Sequence, residues 1–417
     1  MARKETDERT QMLEKHWADP RWQEALLLTA GVLNVRGSKI AHRNYISNIL
    51  SMEPTSPDLI GKPAILAGKA IADLHPRNFS NATYQSVIQN LKDTMQDNQP
   101  VTNLPDPRGE ISILARAEAA DVLDQLGWLP SDLYEFNFIT IPNGIKTSTD
   151  EIPPYLLNLK GYYVGKYPVT NVQYQRFLEA DDFSDPELWV DFLKFDELCC
   201  PMGNHWGDTG WQWYRNYQIH RLNDPEGKIY PAFWTDPHFG SDHKGLPVVG
   251  LSWFEANAYC QWVLKHWNDE GSAEKVANPG ILPKEVRLPT EIEWLIAAGG
   301  HTKLERFPWD KPGRSTRHEN DIVRHANIKE SNIARTTPVG MYPLGQSHPF
   351  KLWDMAGNTW EWQANYYSSS NLYLALRGGS WINTTDFSRL TSRLYNYGPS
   401  NRWKDRGFRV MIISQDS

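Results

Sequence analysis

The spacing of hydrophobic and polar residues changes near residue 130, which predicts two domains. Before that point apolar residues recur at helical intervals. The clearest helical stretches are residues 22–28, 64–72 and 114–126. Asp19 and Pro20 supply an N-cap and a first-turn proline for the first stretch, and Gly127 with Pro130 ends the last. We therefore predict an all-helical domain over residues 1–130.

Beyond residue 130 the sequence predicts short strands and long loops rich in Gly, Pro and Trp, with few helices. Three helix starts carry a capping box, in which a Ser or Thr and an acid or amide three residues later bind each other's backbone N–H groups. These pairs are Thr170 with Gln173, Ser252 with Glu255, and Thr290 with Glu293. Residues 408–413 alternate and then become wholly apolar, as in a central strand. Residues 131–417 are thus predicted to form an α+β domain with long irregular loops.

Residues 376–410 combine regular ends with an irregular middle. The ends read Leu-Arg-Gly-Gly-Ser-Trp and Arg-Gly-Phe-Arg-Val and predict framework, whereas the middle shows neither helical nor strand periodicity. This middle is rich in the aromatic and amide side chains that binding surfaces favour. We predict that Arg389, Arg393, Arg402 and Arg406 brace it against carboxylates and carbonyls. The candidate ligand-binding residues are Ile382, Asn383, Asp386, Phe387, Ser392, Leu394, Tyr395, Asn396, Tyr397, Asn401, Trp403, Lys404 and Asp405.

Charge and composition narrow the possible partners. The 417 residues carry a formal charge of -7, spread without long blocks of one sign. Nucleic-acid binding needs a basic footprint, so we expect no such partner. The first eight residues lack the apolar region of a signal peptide, and no stretch approaches eighteen apolar residues. With only three cysteines and no disulfide framework, we expect a cytoplasmic protein that does not bind membranes.

Searches for catalytic motifs find little. Residues 61–70 resemble a phosphate-binding loop, but the glycine spacing is too long by two and Ala70 lacks the hydroxyl that would hold magnesium. His238 and His243 stand in a predicted loop, where we expect packing or surface roles instead of metal ligation. Cys260 follows aromatic neighbours on a predicted helix and is expected to be a buried, inert thiol.

The segment from Asp354 to Trp362 is a candidate metal site. Asp354 and Glu361 flank a turn that contains Gly357, and carboxylates can join backbone carbonyls around a hard cation such as calcium. The alternative is a tight turn with Trp360 and Trp362 in the core and Glu361 paired to an arginine. The residues alone leave both interpretations open.

Seven segments together resemble the formylglycine-generating (sulfatase-modifying) enzyme family, in matching order across roughly residues 134–413. They are residues 163–171, 247–253, 287–294, 307–309, 357–362, 377–381 and 407–410. The resemblance implies an elaborated C-type lectin fold, with a small mixed sheet, a few helices and much irregular structure. This expectation agrees with the loop-rich texture beyond residue 130.

The resemblance also bears on catalysis. The family's oxidase uses two cysteines after its Arg-Gly-Gly-Ser motif to bind copper and the substrate thiol, and Asn383 and Ser388 stand at those positions. An amide and a hydroxyl cannot replace a thiolate that binds a soft metal, so we expect no enzyme and no copper. Related iron enzymes need three histidines in an N-terminal bundle. The helical half shows no such spacing, so we expect no iron.

Two calcium sites follow from the resemblance. The first implied site is structural and uses Asp354, the carbonyls of Gly357 and Thr359, and Glu361. The second would use Asn327, the carbonyl of Ile328, Ser331 and the carbonyl of Ile333. Ser331 stands where an acid is usual, which leaves occupancy of this second site open.

Within this fold the chain resembles the variable proteins of diversity-generating retroelements, a noncatalytic branch. In them a reverse transcriptase that misreads adenines diversifies surface codons, often AAC or AAT. Most residues at 382–397 are reachable from such codons, but Trp403 and Lys404 are not. Either other template codons serve at those positions, or the segment is an ordinary binding loop.

The helical half resembles the helices that follow the nucleotide-binding core of NACHT-type signalling ATPases, through residues 16–25 and 115–121. We therefore expect a ligand-binding protein whose variable segment, residues 376–410, binds a protein, with a possible docking partner for the helical domain. The alternatives are a metal-dependent oxidase of the same superfamily, or the sensor arm of a signalling ATPase system.

Overall fold

The computed structural model divides the chain into two compact units, Met1–Leu129 and Pro130–Ser417. The residues that it describes are 6–36, 39–72, 82–97, 111–130, 138–142, 161–219, 228–269, 272, 278–299, 307–311, 319–394 and 398–415. Within those ranges no helix is long and apolar enough to cross a membrane.

Where the structure describes the first unit, its regular elements are all helical, as predicted. Its helices are α1 (Thr6–His16), α2 (Gln23–Arg36), α3 (Lys39–Leu50), α4 (Lys62–Ala72), α5 (Ala82–Gln96) and α6 (Ile113–Gln125). Helix α4 is buried along nearly its whole length and packs against α2, α3, α5 and α6. Gly68 lets α6 approach closely, because a Cβ there would lie 2.5 Å from Val122. Asp19 caps a short 3-10 turn, Pro20–Trp22, that precedes α2.

Among the described residues of the second unit, nine strands form two sheets. They are β1 (Phe138–Pro142), β2 (Gly161–Gly165), β3 (Leu193–Phe195), β4 (Pro201–His205), β5 (Pro283–Arg287), β6 (Trp360–Tyr366), β7 (Leu374–Arg377), β8 (Arg406–Gly407) and β9 (Met411–Ser414). The first sheet is antiparallel in the order β1-β2-β9-β5. Ile412 pairs with Tyr163 on one side and Val286 on the other. The predicted central strand is therefore confirmed.

The second sheet has the order β4-β3-β6-β7, with β8 paired to β6. Every residue of β6 is buried. Glu361 of β6 lies opposite Arg377 of the antiparallel β7 and opposite Gly407 of the parallel β8. Since a strand has two edges, β7 and β8 occupy opposite edges of β6. The chain between β7 and β8 therefore leaves the sheet and rejoins it beside the same residue of β6, Glu361.

The longer helices of the second unit are Asn171–Glu179, Thr209–Ile219, Trp253–His266 and Glu291–Ala297, with a short turn of helix at Glu319–Ile322. Further 3-10 turns of this unit occur at Pro186–Trp189, Lys329–Ser331, Pro343–Gly345 and Thr385–Ser388, and the first unit has another at Pro57–Leu59. All three predicted capping boxes are present, at Thr170, Ser252 and Thr290. Each fixes the first turn of its helix.

Aromatic rings fill the core of this unit. The fully buried side chains include Trp189, Trp253, Trp267, Trp294, Trp360 and Trp362. Four of their indole N–H groups donate to backbone carbonyls, such as Trp189 to Phe183 at 2.9 Å, and those of Trp294 and Trp360 donate to the side chains of Glu361 and Asn383. Cys260 is also fully buried, and burial raises the pKa of its thiol. It is a packed core residue, as predicted.

The centre of the unit is an ion pair without solvent exposure between Glu361 on β6 and Arg409. The Arg409 guanidinium donates to both carboxylate oxygens, at 2.8 and 3.1 Å. It also donates to the carbonyls of Gly165 and Trp353. The indole N–H of Trp294 completes the shell of Glu361 at 2.7 Å. The pair thus connects both sheets and the turn before β6.

Removal of Arg409 tests how far the fold depends on this pair. In Arg409→Met the Glu361 carboxylate stays buried without its counter-charge, which should lower the free energy of unfolding by about 3–5 kcal/mol. The double variant Glu361→Gln/Arg409→Met should recover part of that loss, because a neutral amide still accepts from Trp294. Urea denaturation of purified protein measures both changes.

Lys265→Met is the matched control. Lys265 pairs with Asp182 and Asp185 but its side chain is 40% exposed, so its loss should cost no more than about 1 kcal/mol. Two results would contradict this account. One is a double variant Glu361→Gln/Arg409→Met that is less stable than Arg409→Met. The other is an equal loss of unfolding free energy in Lys265→Met and Arg409→Met.

Candidate functional site

The turn before β6 contains the first predicted metal site. Asp354 and Gly357 both have positive φ, at 55° and 73°, which folds the turn tightly. A Cβ at Gly357 would lie 2.4 Å from the carbonyl oxygen of Asn327, so only glycine fits. Asn358 then accepts a hydrogen bond from Thr337 and donates one back, at 2.9 and 3.0 Å. The turn is therefore held rigidly against the residue 327–337 loop.

Asp354 is the side chain in this turn that most favours a cation. It is buried, and its Oδ2 has no hydrogen-bond partner. Burial raises the pKa of Asp354 to about 7, and the Glu361 charge adds to the rise, although Arg409 opposes it. A buried carboxylate without a matching charge is unfavourable unless it is protonated or binds a cation.

Glu361, the other predicted carboxylate, differs because Arg409 already matches its charge. Across the described ranges, no group of three or more His, Cys, Asp or Glu side chains is placed to hold a metal. A calcium ion at Asp354 would thus rely on backbone carbonyls for several of its ligands, as the resemblance implies for Gly357 and Thr359. The donor set is compatible with such an ion.

The second predicted site has no acid. Ser331 accepts from the Ile328 N–H and donates to the Ala326 carbonyl, both at 3.1 Å, so its hydroxyl closes a local turn. The Oδ1 of Asn327 is buried without a hydrogen-bond partner. With Ser331 used in this way, the implied donors at Asn327, Ile328, Ser331 and Ile333 bring no negative charge.

A double-glycine turn follows β7 and opens the segment between the two strands. Gly378 and Gly379 have φ of 101° and 78°, and a Cβ at Gly379 would lie 2.7 Å from the Phe387 carbonyl oxygen. Gly378 in turn accepts from the Gly357 N–H at 2.8 Å. Glycine is needed here because backbone conformation and close approach both exclude a side chain.

Asn383 and Ser388, which the resemblance implies stand in place of the family's two cysteines, both lie within the packed part of the segment. The Asn383 Oδ1 accepts from the indole N–H of Trp360 at 2.8 Å and from the Ser380 hydroxyl at 2.6 Å. Its carbonyl accepts from the Lys329 N–H. Ser388 is 1% exposed. An amide with these bonds holds the start of the loop against β6 and offers no nucleophile.

Residues 382–405 are here called the display segment, and its described part, residues 382–394 and 398–405, exposes several apolar side chains. Ile382, Phe387 and Trp403 are 42%, 43% and 51% exposed. The charged Asp386 and Lys404 are exposed as well. Lys404 lies over the ring of Trp381 at 5.2 Å. Large apolar groups with charged neighbours are common at binding surfaces.

Three other candidate ligand-binding residues, Asp405, Leu394 and Asn383, make contacts within the fold instead of facing solvent. Asp405 is buried at 6% exposure, and including it in the exposed face was wrong. Its backbone carbonyl accepts from the Trp360 N–H, which places Asp405 next to β6. Leu394 packs against the core and bridges to Leu376, and Asn383 makes the internal bonds described above.

Of the remaining candidates, Ser392 and Asn401 are half-buried. Tyr395, Asn396 and Tyr397 lie outside the described residues.

The predicted bracing by arginines is confirmed at two positions. Arg402 is nearly buried and binds Glu255, the Tyr217 hydroxyl and the carbonyls of Gly250 and Tyr230. Arg393 binds Glu291 and lies over the ring of Tyr367. Arg389 makes a more exposed contact with Asp386 at 3.2 Å and covers the Phe307 ring. These contacts fix the display segment from both sides.

Glu291 was not predicted as a functional residue, and Glu255 was predicted only as part of a capping box. Glu291 is buried and pairs with both Arg377 and Arg393. Glu255 is a capping-box residue that also binds Arg402 at 2.9 Å. The sequence did indicate that both acids could be buried, because each lies in the first turn of a helix next to apolar residues. The partner arginines could not be deduced, because they are 102 and 147 residues away.

The chain is similar to several known proteins. The inactive C-alpha-formylglycine-generating enzyme 2 of Bos taurus is 28% identical over 297 residues, which are 66% of this chain and 87% of that protein. The formylglycine-generating enzyme of Streptomyces coelicolor is 28% identical over 227 residues, or 52% of this chain and 62% of that enzyme. Among solved structures, Treponema denticola variable protein 1 matches with a TM-score of 0.39 and 19% identity over 66% of this chain and 94% of that chain.

The family profile of the sulfatase-modifying factor enzyme 1-like domain matches residues 134–413. This range covers both sheets, the turn before β6 and the display segment. The predicted fold class, an all-helical region followed by a formylglycine-generating-enzyme-like α+β domain, is confirmed. The chain belongs to the sulfatase-modifying factor enzyme 1-like family.

Proposed function

We propose that this protein is a noncatalytic binding protein whose display segment contacts a protein ligand. The observation that carries this proposal is the exposure of Ile382, Phe387 and Trp403 on a loop whose two ends are fixed to β6. Rigid backbone lowers the entropy lost on binding, and exposed aromatic groups supply contact area. The segment has both properties.

The ligand is proposed to be a protein because the exposed groups are large apolar side chains with charged neighbours. Trp403 and Phe387 can serve as apolar anchors, while Asp386 and Lys404 offer charges of both signs at their side. Interfaces between proteins combine an apolar centre with a polar rim in this way. Diversification of these side chains remains part of the proposal.

Peptide selection tests which surface binds. Peptides from a phage-displayed random library are selected on the purified full chain, and the enriched sequences are titrated by calorimetry. Trp403→Ala should weaken binding by roughly 2 kcal/mol, or about 30-fold, because a buried aromatic anchor is lost. The control Leu372→Ala alters a side chain that is 63% exposed outside the segment, and it should change affinity less than threefold. Equal effects at Leu372 and Trp403 would argue against the display segment.

The genomic neighbourhood tests diversification separately. A near-copy of the codons for residues 376–410, differing mainly at adenines and lying beside a reverse transcriptase gene, is the expected finding. Its absence would leave an ordinary binding loop.

The absence of catalysis is proposed from the site and from the relatives. The Asn383 amide and the Ser388 hydroxyl stand where the family's chemistry needs thiolates. The Bos taurus relative is itself named inactive. The alternative is a metal-dependent oxidase with a relocated metal site.

A direct assay separates these alternatives. The purified chain is incubated with copper or iron, oxygen and a cysteine-containing peptide, and the peptide is analysed by mass spectrometry. We expect no oxidised product above the rate without protein. Stoichiometric copper or iron together with turnover would overturn the noncatalytic assignment.

We further propose that Asp354 binds a structural calcium ion together with Gly357, Thr359 and Glu361. Support comes from the buried Asp354 oxygen that has no hydrogen-bond partner and from its raised pKa. The ion would supply the positive charge that this carboxylate lacks. Because the turn contacts Asn327 and Gly378, the ion would stabilise the base of the display segment.

Thermal melts with calcium and with chelator test this site. At 100 times the dissociation constant, calcium should stabilise the parent by about 2.7 kcal/mol, which raises Tm by several degrees. Asp354→Asn should melt alike in both conditions, because the amide removes the charge while keeping the shape. Asp386→Asn, an exposed acid in the display segment, is the control and should respond like the parent. A parent that ignores calcium would exclude the site.

A further inference from the structure

His266 ends the helix Trp253–His266 with a carboxylate at each of its ring nitrogens. Its Nε2 lies 2.9 Å from the Oδ2 of Asp182, and its Nδ1 lies 2.5 Å from the Oδ2 of Asp269. Apart from the ring of Trp262, these are the hydrogen-bond, charge and ring partners of its side chain among the described residues. The side chain is 32% exposed, so its protonation can follow the pH of the solvent.

The two hydrogen bonds require a charged ring. A neutral imidazole has one N–H donor and one acceptor, whereas an imidazolium donates from both nitrogens. An ionised carboxylate only accepts. Loss of one proton from the ring would leave a nitrogen lone pair facing a carboxylate oxygen at hydrogen-bond distance, which is repulsive. The geometry is therefore that of an imidazolium held between two carboxylates.

The surrounding charges favour the same protonation state. Partial burial acts to lower the pKa of His266, but the hydrogen bonds to Asp269 and Asp182 outweigh it and raise that pKa. Partial burial acts to raise the pKa of Asp182, but the hydrogen bonds from Lys265 and His266 outweigh it and lower that pKa. Asp182 therefore stays ionised over the range in which the ring titrates.

Lys265 is a second cation beside the ring. Its ammonium binds Asp182 and Asp185 at 2.9 and 2.6 Å. The hydrogen bonds to these acids raise the pKa of Lys265, so its charge does not change where His266 titrates. The two cations thus make different contributions, since one depends on pH near neutrality and the other does not.

Other titratable groups lie on the elements packed against this helix. They are Arg176 and Glu179 of the helix Asn171–Glu179, Glu187 of the turn Pro186–Trp189, and Lys284, Glu285 and Arg287 of β5. Among the described residues none of these groups forms a hydrogen bond or ion pair with the His266 ring. The protonation of the ring is therefore controlled by its two carboxylates.

The acids bound by these cations belong to residues 182–189, here called the capped turn. Asp185 caps its 3-10 portion by accepting from the Glu187 N–H at 3.0 Å. Phe183 and Trp189 within the capped turn are buried in the aromatic core. The ion pairs thus attach a stretch that covers the core to the end of the neighbouring helix.

We propose that His266 is a protonation-dependent clamp, which holds the capped turn against the helix as an imidazolium and loosens it when the ring loses its proton. Because the folded-state pKa is raised, the stability contributed by the clamp is fully present below the unfolded value of about 6.5. It is lost as pH rises through the folded value. Lys265 keeps the capped turn attached, so the change is local. The inference does not depend on the proposed binding function.

A proton NMR titration of the His266 ring in the full chain tests its charge. The Cε1–H signal is assigned from its loss in His266→Gln, and it should titrate above the unperturbed value of about 6.5. Asp182→Asn/Asp269→Asn should return the titration toward that value, because both acceptors lose their charge. Asp208→Asn is the matched control, since Asp208 is an exposed acid that binds Gln212. It should leave the titration unchanged.

Hydrogen exchange of residues 182–189 between pH 6 and 9 measures the loosening, after correction for the intrinsic pH dependence of exchange. In the parent the protection of the capped turn should fall by about threefold or more as pH rises. His266→Gln should show low protection that does not change with pH. Lys265→Met should show a larger fall than the parent, because His266 is then the cation that holds Asp182. Circular dichroism melts confirm that each variant is folded.

Three results would overturn the proposal. One is a His266 ring that titrates at or below about 6.5. Another is an unchanged titration in Asp182→Asn/Asp269→Asn, which would show that the carboxylates do not hold the charge. The third is protection of the capped turn with the same pH dependence in the parent and in His266→Gln, which would exclude His266 as its source.

Discussion

The buried pair of Glu361 and Arg409 is the interaction on which the second unit depends. It joins β6 to the short stretch between β8 and β9, and neither side chain is exposed to solvent. A buried charge is tolerated only when its partner and its hydrogen bonds are fixed, so the pair demands one arrangement of the surrounding backbone. Gly165, Trp353 and Trp294 each contribute a bond to that arrangement. The irregular loops are attached to a centre that has little freedom to shift.

This constraint explains how a long irregular segment can have a defined shape. The display segment leaves the sheet at β7 and returns at β8, and both strands pair with β6 at Glu361. Between these points arginines bind buried acids, as Arg393 does with Glu291 and Arg402 with Glu255. Planar guanidinium groups form several directed hydrogen bonds at once, so they can replace the ladder of a regular strand. Order in this segment comes from side chains instead of from secondary structure.

The sequence allowed prediction of features that depend on neighbouring residues. Capping boxes at Ser252 and Thr290 join groups three positions apart, and the apolar run at the end of the chain predicts a central strand. Features that depend on distant residues could not be predicted. Nothing near Asp405 in the sequence shows that its backbone pairs with Trp360, so its burial was missed. The resemblance to a family located the display segment in the sequence. It did not show which of its side chains point inward and which point outward.

The division between inward and outward side chains limits which positions can vary without loss of the fold. Asn383, Arg393, Arg402 and Asp405 hold the segment through hydrogen bonds or burial, and a change at any of them would disturb β6 or its neighbours. Ile382, Asp386, Phe387, Trp403 and Lys404 are exposed, so substitution there alters the surface at little cost in stability. Under the proposed function, a surface that exchanges its outward residues while keeping its inward ones could change ligand without a new fold. The buried carboxylates make that separation possible. They bind the arginines from the core side and so hold the backbone in place while the outward side chains change.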